Sequence, residues 1–214
     1  MFLGHYAVAL AAKRAAPRTS LGTLFFAAQF LDLLWPVLLL AGVEHVRIAP
    51  GITRFTPLDF YDYPISHSLA AALVWSLVVG GGYFALRRDR RAAAIVGALV
   101  ASHWLLDLVM HRPDLPLLPG GDVKTVGLGL WRSVPLTLAL ELGLFAAGVA
   151  IYLRATARAG SIGLWAMLAL LVAAYLGAAF GPPPPSESAL AVSALALWLL
   201  LPFAYFVDRR RAPA

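Results

Sequence analysis

Three ionisable side chains, His103, Asp107 and His111, stand in the largely apolar run that opens the stretch Ser102 to Asp114, SHWLLDLVMHRPD, ahead of Arg112 and Asp114. Four residues along a helix turn through about 400°, so His103 and Asp107 lie about 40° apart on one face and about 6 Å apart along the axis. An imidazole and a carboxylate so placed can ligate one metal ion or pass a proton. His111 follows about 12 Å from His103, too far to share that ion easily. In most helices a lone His or Asp is satisfied by a neighbour and does no chemistry. Within a bilayer a charged group costs roughly 2.5 kcal/mol or more, and is kept where it has a partner, a cavity or a task. Metal binding and proton relay are therefore the two chemistries to weigh.

The rest of the chain supplies that bilayer setting. Of its 214 residues, 61% are hydrophobic and 13% charged, with a mean hydropathy of +0.79. A soluble domain has no use for so much apolar surface, which makes this a polytopic membrane protein. The net charge of +6 sits in short basic clusters between apolar runs. That pattern belongs to membrane orientation, and without aromatic interleaving no direct nucleic-acid binding is expected. There is no cysteine, so a metal site must be built from His and carboxylate. Such a donor set suits zinc, manganese or iron better than copper(I). Lys13 and Arg14 follow the first apolar run instead of preceding it, unlike a signal peptide, and the segment is expected to be retained.

The elements that must position these groups follow from the apolar pattern. Met1 to Ala16 predicts a helix too short to span, re-entrant or packed within the membrane, with His5 near its start and Lys13 and Arg14 at the surface. Leu21 to Val43 is long enough to cross. It carries Gln29 and Asp32 near its middle, and Trp35-Pro36 predicts a kink. Glu44 to Tyr63 reads as a polar loop, with Tyr61 and Tyr63 as interfacial anchors. A second crossing begins near Pro64, with Ser66-His67-Ser68 in its first turn, and continues through Leu69 to Leu86. Ala92 to Met110 crosses back, and Arg112 to Leu130 is a Pro- and Gly-rich loop. Trp131 to Leu153 crosses again with Glu141 inside it. Ile162 to Phe180 and Ser188 to Val207 form a last hairpin with no ionisable residue in its apolar cores, expected to be scaffold. The expectation is one all-α membrane domain over residues 1–214, with about six transmembrane helices. Residues 1–154 carry the metal-site helices and 155–214 the C-terminal hairpin. With both termini cytoplasmic, twelve of the 17 Lys and Arg fall inside and five outside, as the positive-inside rule prefers.

This topology lets Asp32, His67, His103, Asp107, His111 and Glu141 converge on one cavity in the outer half of the bilayer. His5 joins only if the N-terminal helix penetrates that far. Asp59 and Asp62 read first as solvated loop residues, and second as a base or second-metal ligand. Neutral imidazoles and carboxylates from separate helices suit one or two ions, and the ions would offset buried negative charge.

Gly4-His5, Asp32 in the next segment, His67-Ser68 at a helix head and the later Ser102-His103 with Asp107 together resemble the bacterial membrane-bound metal-dependent hydrolases known as LexA-binding inner-membrane hydrolases. That family is distantly similar to the zinc-dependent phospholipases C and single-strand nucleases, where a HxxxD or HxxxE pair on a helix binds zinc. The resemblance covers roughly Met1 to Trp131 and implies His5 as a ligand. Two elements depart from it: FLDLLWP offers only Asp32 where an acidic PDxD-like element is expected, and DYPISHS stands where the family reads HRGxTHS.

The expected function is a metal-dependent hydrolase of the bacterial inner membrane. His5, Asp32, His67, His103 and Asp107 are the expected ligands, Zn2+ the first choice and Mn2+ the second. His111, Glu141 and Asp62 are candidates for general acid and base, with His111 and Glu141 also open as supporting or second-metal groups. The cavity's depth suggests membrane lipid, or another amphiphilic ester or phosphoester, as substrate. Two rivals are a proton- or cation-coupled transporter and a non-catalytic adaptor whose metal only holds helices together.

Overall fold

The computed structural model describes residues 1–120, 125–156 and 161–211. The chain is an all-α polytopic membrane protein. Five helical segments are long and apolar enough to cross a membrane, with Glu187–Arg209 counted as one, or six if the bent pair Leu21–Ala28 and Phe30–Leu40 forms a single span. In order, the elements are α1 (Leu3–Ala12), α2 (Leu21–Ala28), α3 (Phe30–Leu40), β1 (His45–Ile48), β2 (Leu58–Asp62), α4 (Pro64–His67), α5 (Leu69–Arg87) and α6 (Arg90–Met110). There follow β3 (Leu115–Pro116), β4 (Thr125–Val126), α7 (Val134–Ala155), α8 (Ser161–Phe180), α9 (Glu187–Ala194) and α10 (Leu197–Arg209). The short strands pair as antiparallel hairpins, β1 with β2 and β3 with β4. They lie within the two segments read from the sequence as loops.

Helix α1 is the buried centre of the bundle. Ten residues rise about 15 Å, half the hydrocarbon thickness, so it cannot span. It packs along α7 and against α2 and α6, with Leu3, Tyr6, Ala9 and Leu10 fully enclosed. Its close approach to α7 is made by Gly148, where a Cβ would fall on the backbone of Ala7. Small residues let membrane helices pack this tightly. Replacing Gly148 with Ala is expected to cost about 1–3 kcal/mol, because backbone must move to accept the methyl group. Gly143→Ala on the same helix, where a Cβ meets nothing, should leave thermal unfolding in detergent unchanged. Equal melting of the two variants would contradict the packing argument.

The sequence predicts a kink at Trp35-Pro36, but the chain bends by 58° at Gln29, between α2 and α3. Pro36 lies inside α3, where the missing N–H costs one hydrogen bond without ending the helix. The expected single helix from Pro64 is likewise split. His67 closes the short α4, and Ser68 turns to an extended conformation and caps α5, accepting from Ala71 N at 3.1 Å.

Lys13 was expected at the surface and is buried. Its Nζ lies 2.5 Å from Asp208 Oδ2 and donates to the Thr19 carbonyl at 2.9 Å. Asp208 also accepts from Leu21 N and from the Tyr152 hydroxyl. The C-terminal hairpin is therefore tied to the bundle by a charge at its last turn. This knot sits eight residues along α1 from His5, about 12 Å by the helical rise.

Candidate metal centre

The cluster is assembled from four helices, and each ligand is aimed by a local feature. On α6 the i, i+4 spacing brings His103 Nε2 to 3.2 Å from Asp107 Oδ2. The bend at Gln29 leaves the Ala28 carbonyl outside the helical ladder, and His103 Nδ1 donates to it at 2.7 Å. That bond fixes the tautomer and leaves Nε2 turned to the cluster. Asp32, in the first turn after the bend, places Oδ1 3.6 Å from His103 Nε2 and 3.4 Å from His67 Nε2.

His67 is held from behind by a carboxylate absent from the sequence-based candidates. Glu44 is buried and takes the backbone N–H groups of Ile65 and Ser66, each at 2.7 Å, at the start of α4. It also accepts from the Ser66 hydroxyl at 2.6 Å, and that hydroxyl lies 2.7 Å from His67 Nδ1. With the Ser66 proton given to Glu44, His67 Nδ1–H donates to Ser66, leaving Nε2 for a ligand. Glu44→Gln is expected to lower metal affinity about 10–100-fold, the usual cost of losing an outer partner of a ligating His. Competition with a chromogenic chelator measures it, and unchanged affinity would remove Glu44 from the site.

His5 arrives on α1. Its ring stacks on that of His103, centroids 3.6 Å apart and planes within 7°. Its Nε2 is 3.2 Å from Asp107 Oδ1, and the Met1 nitrogen bonds the same oxygen. Glu141 on α7 accepts from Phe2 N and Gly4 N, each at 3.0 Å. It thereby caps the start of α1, holding His5 in register, while also lining the cavity.

Two ligand groups result, His5–His103–Asp107 and Asp32–His67–His103, with the donor atoms of each group all within 4.8 Å of one another. Both nitrogens of His5 and Nε2 of His103 are buried and make no hydrogen bond to any described residue. His5 Nε2 and His103 Nε2 approach carboxylate oxygens closely without hydrogen-bond geometry. Buried polar atoms are normally satisfied, and a cation among these oxygens and nitrogens would satisfy His103 Nε2 and one nitrogen of His5. The residues therefore fit a divalent ion held by nitrogen and oxygen donors.

Three members of the cluster, Asp32, His67 and Asp107, line a cavity of about 160 Å³, whose walls also include Phe2, Trp35, Phe60, Trp131 and Tyr175, while His5 and His103 lie behind them. His111 caps α6 and lines the same cavity, its Nδ1 3.0 Å from Asp114 Oδ1 and 3.2 Å from the Tyr63 hydroxyl. Burial holds its pKa below the ordinary histidine range, against the pull of Asp114, so the ring is neutral near pH 7. Asp62 is not brought to the cavity. It pairs with His45 at 2.7 Å on the exposed face of the hairpin. Asp59, expected to be solvated, is buried and takes Arg112, with Arg47 at 3.6 Å. It thereby joins the two loops at this end of the bundle.

No family model matches the chain, and neither a curated protein nor a solved structure matches it.

Proposed function

We propose that this protein is a membrane-embedded metal-dependent hydrolase, holding one or two divalent ions, zinc first and Mn2+ second, on His5, Asp32, His67, His103 and Asp107. The observation that carries this reading is the pair of ligand groups sharing His103, with unsatisfied nitrogens on His5 and His103, and with Asp32, His67 and Asp107 of the same cluster lining an aromatic-walled cavity. When bound, such an ion lowers the pKa of a water and polarises an ester or phosphoryl oxygen. His111, neutral and oriented through Nδ1 by Asp114, serves as the proton-transfer group of the cavity. Glu141 acts by positioning α1. The resemblance to the inner-membrane hydrolase family supports the same assignment. The basic-residue distribution supports an inner-membrane location with both termini cytoplasmic.

A transporter needs a polar path through the bundle. Between the His/Asp cluster and the Lys13–Asp208 knot lie Leu10, Leu24 and Phe25, all fully buried, and this apolar layer favours hydrolysis over transport. The test is release of product from phospholipid or phosphoester substrates by detergent-purified protein, followed by phosphorus NMR. Activity is expected to disappear with a chelator and return with zinc. Persistent activity after complete removal of metal would defeat the proposal, as would a metal-loaded protein that conducts ions but hydrolyses none of these substrates.

A further inference from the structure

A second cavity, of about 450 Å³, lies beside the first, between the tip of the β1–β2 hairpin and the turn joining α8 to α9. The two cavities share Phe55, Thr56, Leu58 and Ala178 in their walls. Phe55 is the large ring between them, set against Tyr175 at 5.7 Å. The tip that carries it is tightly held. Thr53 Oγ1 accepts from Phe55 N at 3.2 Å and Thr56 N at 2.9 Å, and donates to the Thr56 carbonyl at 2.9 Å. Ala49 N donates to the Pro57 carbonyl at 2.6 Å across the base of the tip.

The opposite wall contains Pro182, Pro183 and Pro184, which offer no N–H donors. Recognition of a charged ligand therefore falls to Arg54, the one charged residue in the lining. Arg54 makes no ion pair among the described residues. Its neighbours at this end, Arg47 and Arg112, are taken up by Asp59 and Asp114. An unpaired guanidinium presents a planar fork of donors that matches phosphate oxygens. Apolar walls such as Leu58, Ala178 and Leu190 suit the adjoining hydrocarbon of an amphiphile.

We propose that this second cavity binds the phosphate group of an amphiphilic ligand on Arg54, with the rest of the ligand passing Phe55 toward the His/Asp cluster. The phosphate site stands on its own geometry. Only its use as a substrate subsite rests on the hydrolase reading.

The test is binding of dodecyl phosphate to the full chain in a neutral detergent, measured by microscale thermophoresis with and without EDTA. Arg54→Ala is expected to weaken binding at least tenfold. Arg132→Ala, which removes another exposed arginine without an ion pair among the described residues, should change it less than twofold. EDTA should leave binding unaltered, which separates this site from the metal cluster, and inorganic phosphate should bind at least tenfold more weakly than dodecyl phosphate. The proposal is overturned by Arg54→Ala binding within twofold of wild type, by equal losses in the two arginine variants, by loss of binding in EDTA, or by equal affinity for inorganic phosphate. Arg54 is exposed on a hairpin tip, so its substitution leaves the fold intact, which equal thermal unfolding of the variant verifies.

Discussion

Protein carrying His103→Ala is expected to purify without its divalent metal, whereas the wild type retains it near stoichiometry. His103 is the one residue common to both ligand groups, so its removal takes a donor from each. Loss of an outer partner alone lowers affinity by about 10–100-fold, and loss of the shared ligand should exceed about 100-fold. Asp107→Ala should act similarly, because its two oxygens face His5 and His103 and its removal leaves only imidazoles in that group. His5→Ala and Asp32→Ala each touch one group only. If two ions bind, each of these variants retains one. Elemental analysis of detergent-purified protein reads all four cases, and full metal content in the His103 variant would exclude the site as drawn.

The second large effect is on stability. Lys13→Met removes the cation from a pair whose side chains are only 4% and 6% exposed, leaving Asp208 buried without its countercharge. Breaking a buried pair on one side costs about 3–5 kcal/mol. The double variant Lys13→Met with Asp208→Leu removes both charges and should recover much of that loss, since uncharged groups of similar size often replace a buried pair at little cost. The remaining deficit reflects the Tyr152 hydroxyl and Leu21 N, which also lean on Asp208. Equilibrium unfolding in mixed micelles compares the three proteins. A single variant as stable as wild type would show that solvent reaches the pair.

What could be read from the sequence follows the range of each interaction. The His103–Asp107 pairing is a property of one helix, and helical spacing alone places it. Asp32 and His67 depend on topology, which the apolar runs supply. The approach of His5 depends on how α1 docks, and that is decided by Gly148 and Glu141, neither of which signals such a role from its place in the chain. Glu44 opens a polar loop, where a carboxylate is ordinarily solvated. Only its capping of the Ile65 and Ser66 amides reveals it as the support of His67. Lys13 and Asp208 are separated by 195 residues and lie at the ends of apolar runs, where charges usually mark the membrane surface. The bend is at Gln29 and not at Pro36, which α3 accommodates with the loss of one hydrogen bond.

The spacing of the ligands along the chain also sets an order of assembly during synthesis. His5 is made first, yet its helix is capped by Glu141, which enters the membrane two long helices later. Until α7 is inserted, α1 has neither its cap nor its Gly148 seat, and the site is missing a wall. On the proposed metal reading, capture of an ion would follow insertion of α7 and would close a bundle already spanning the bilayer.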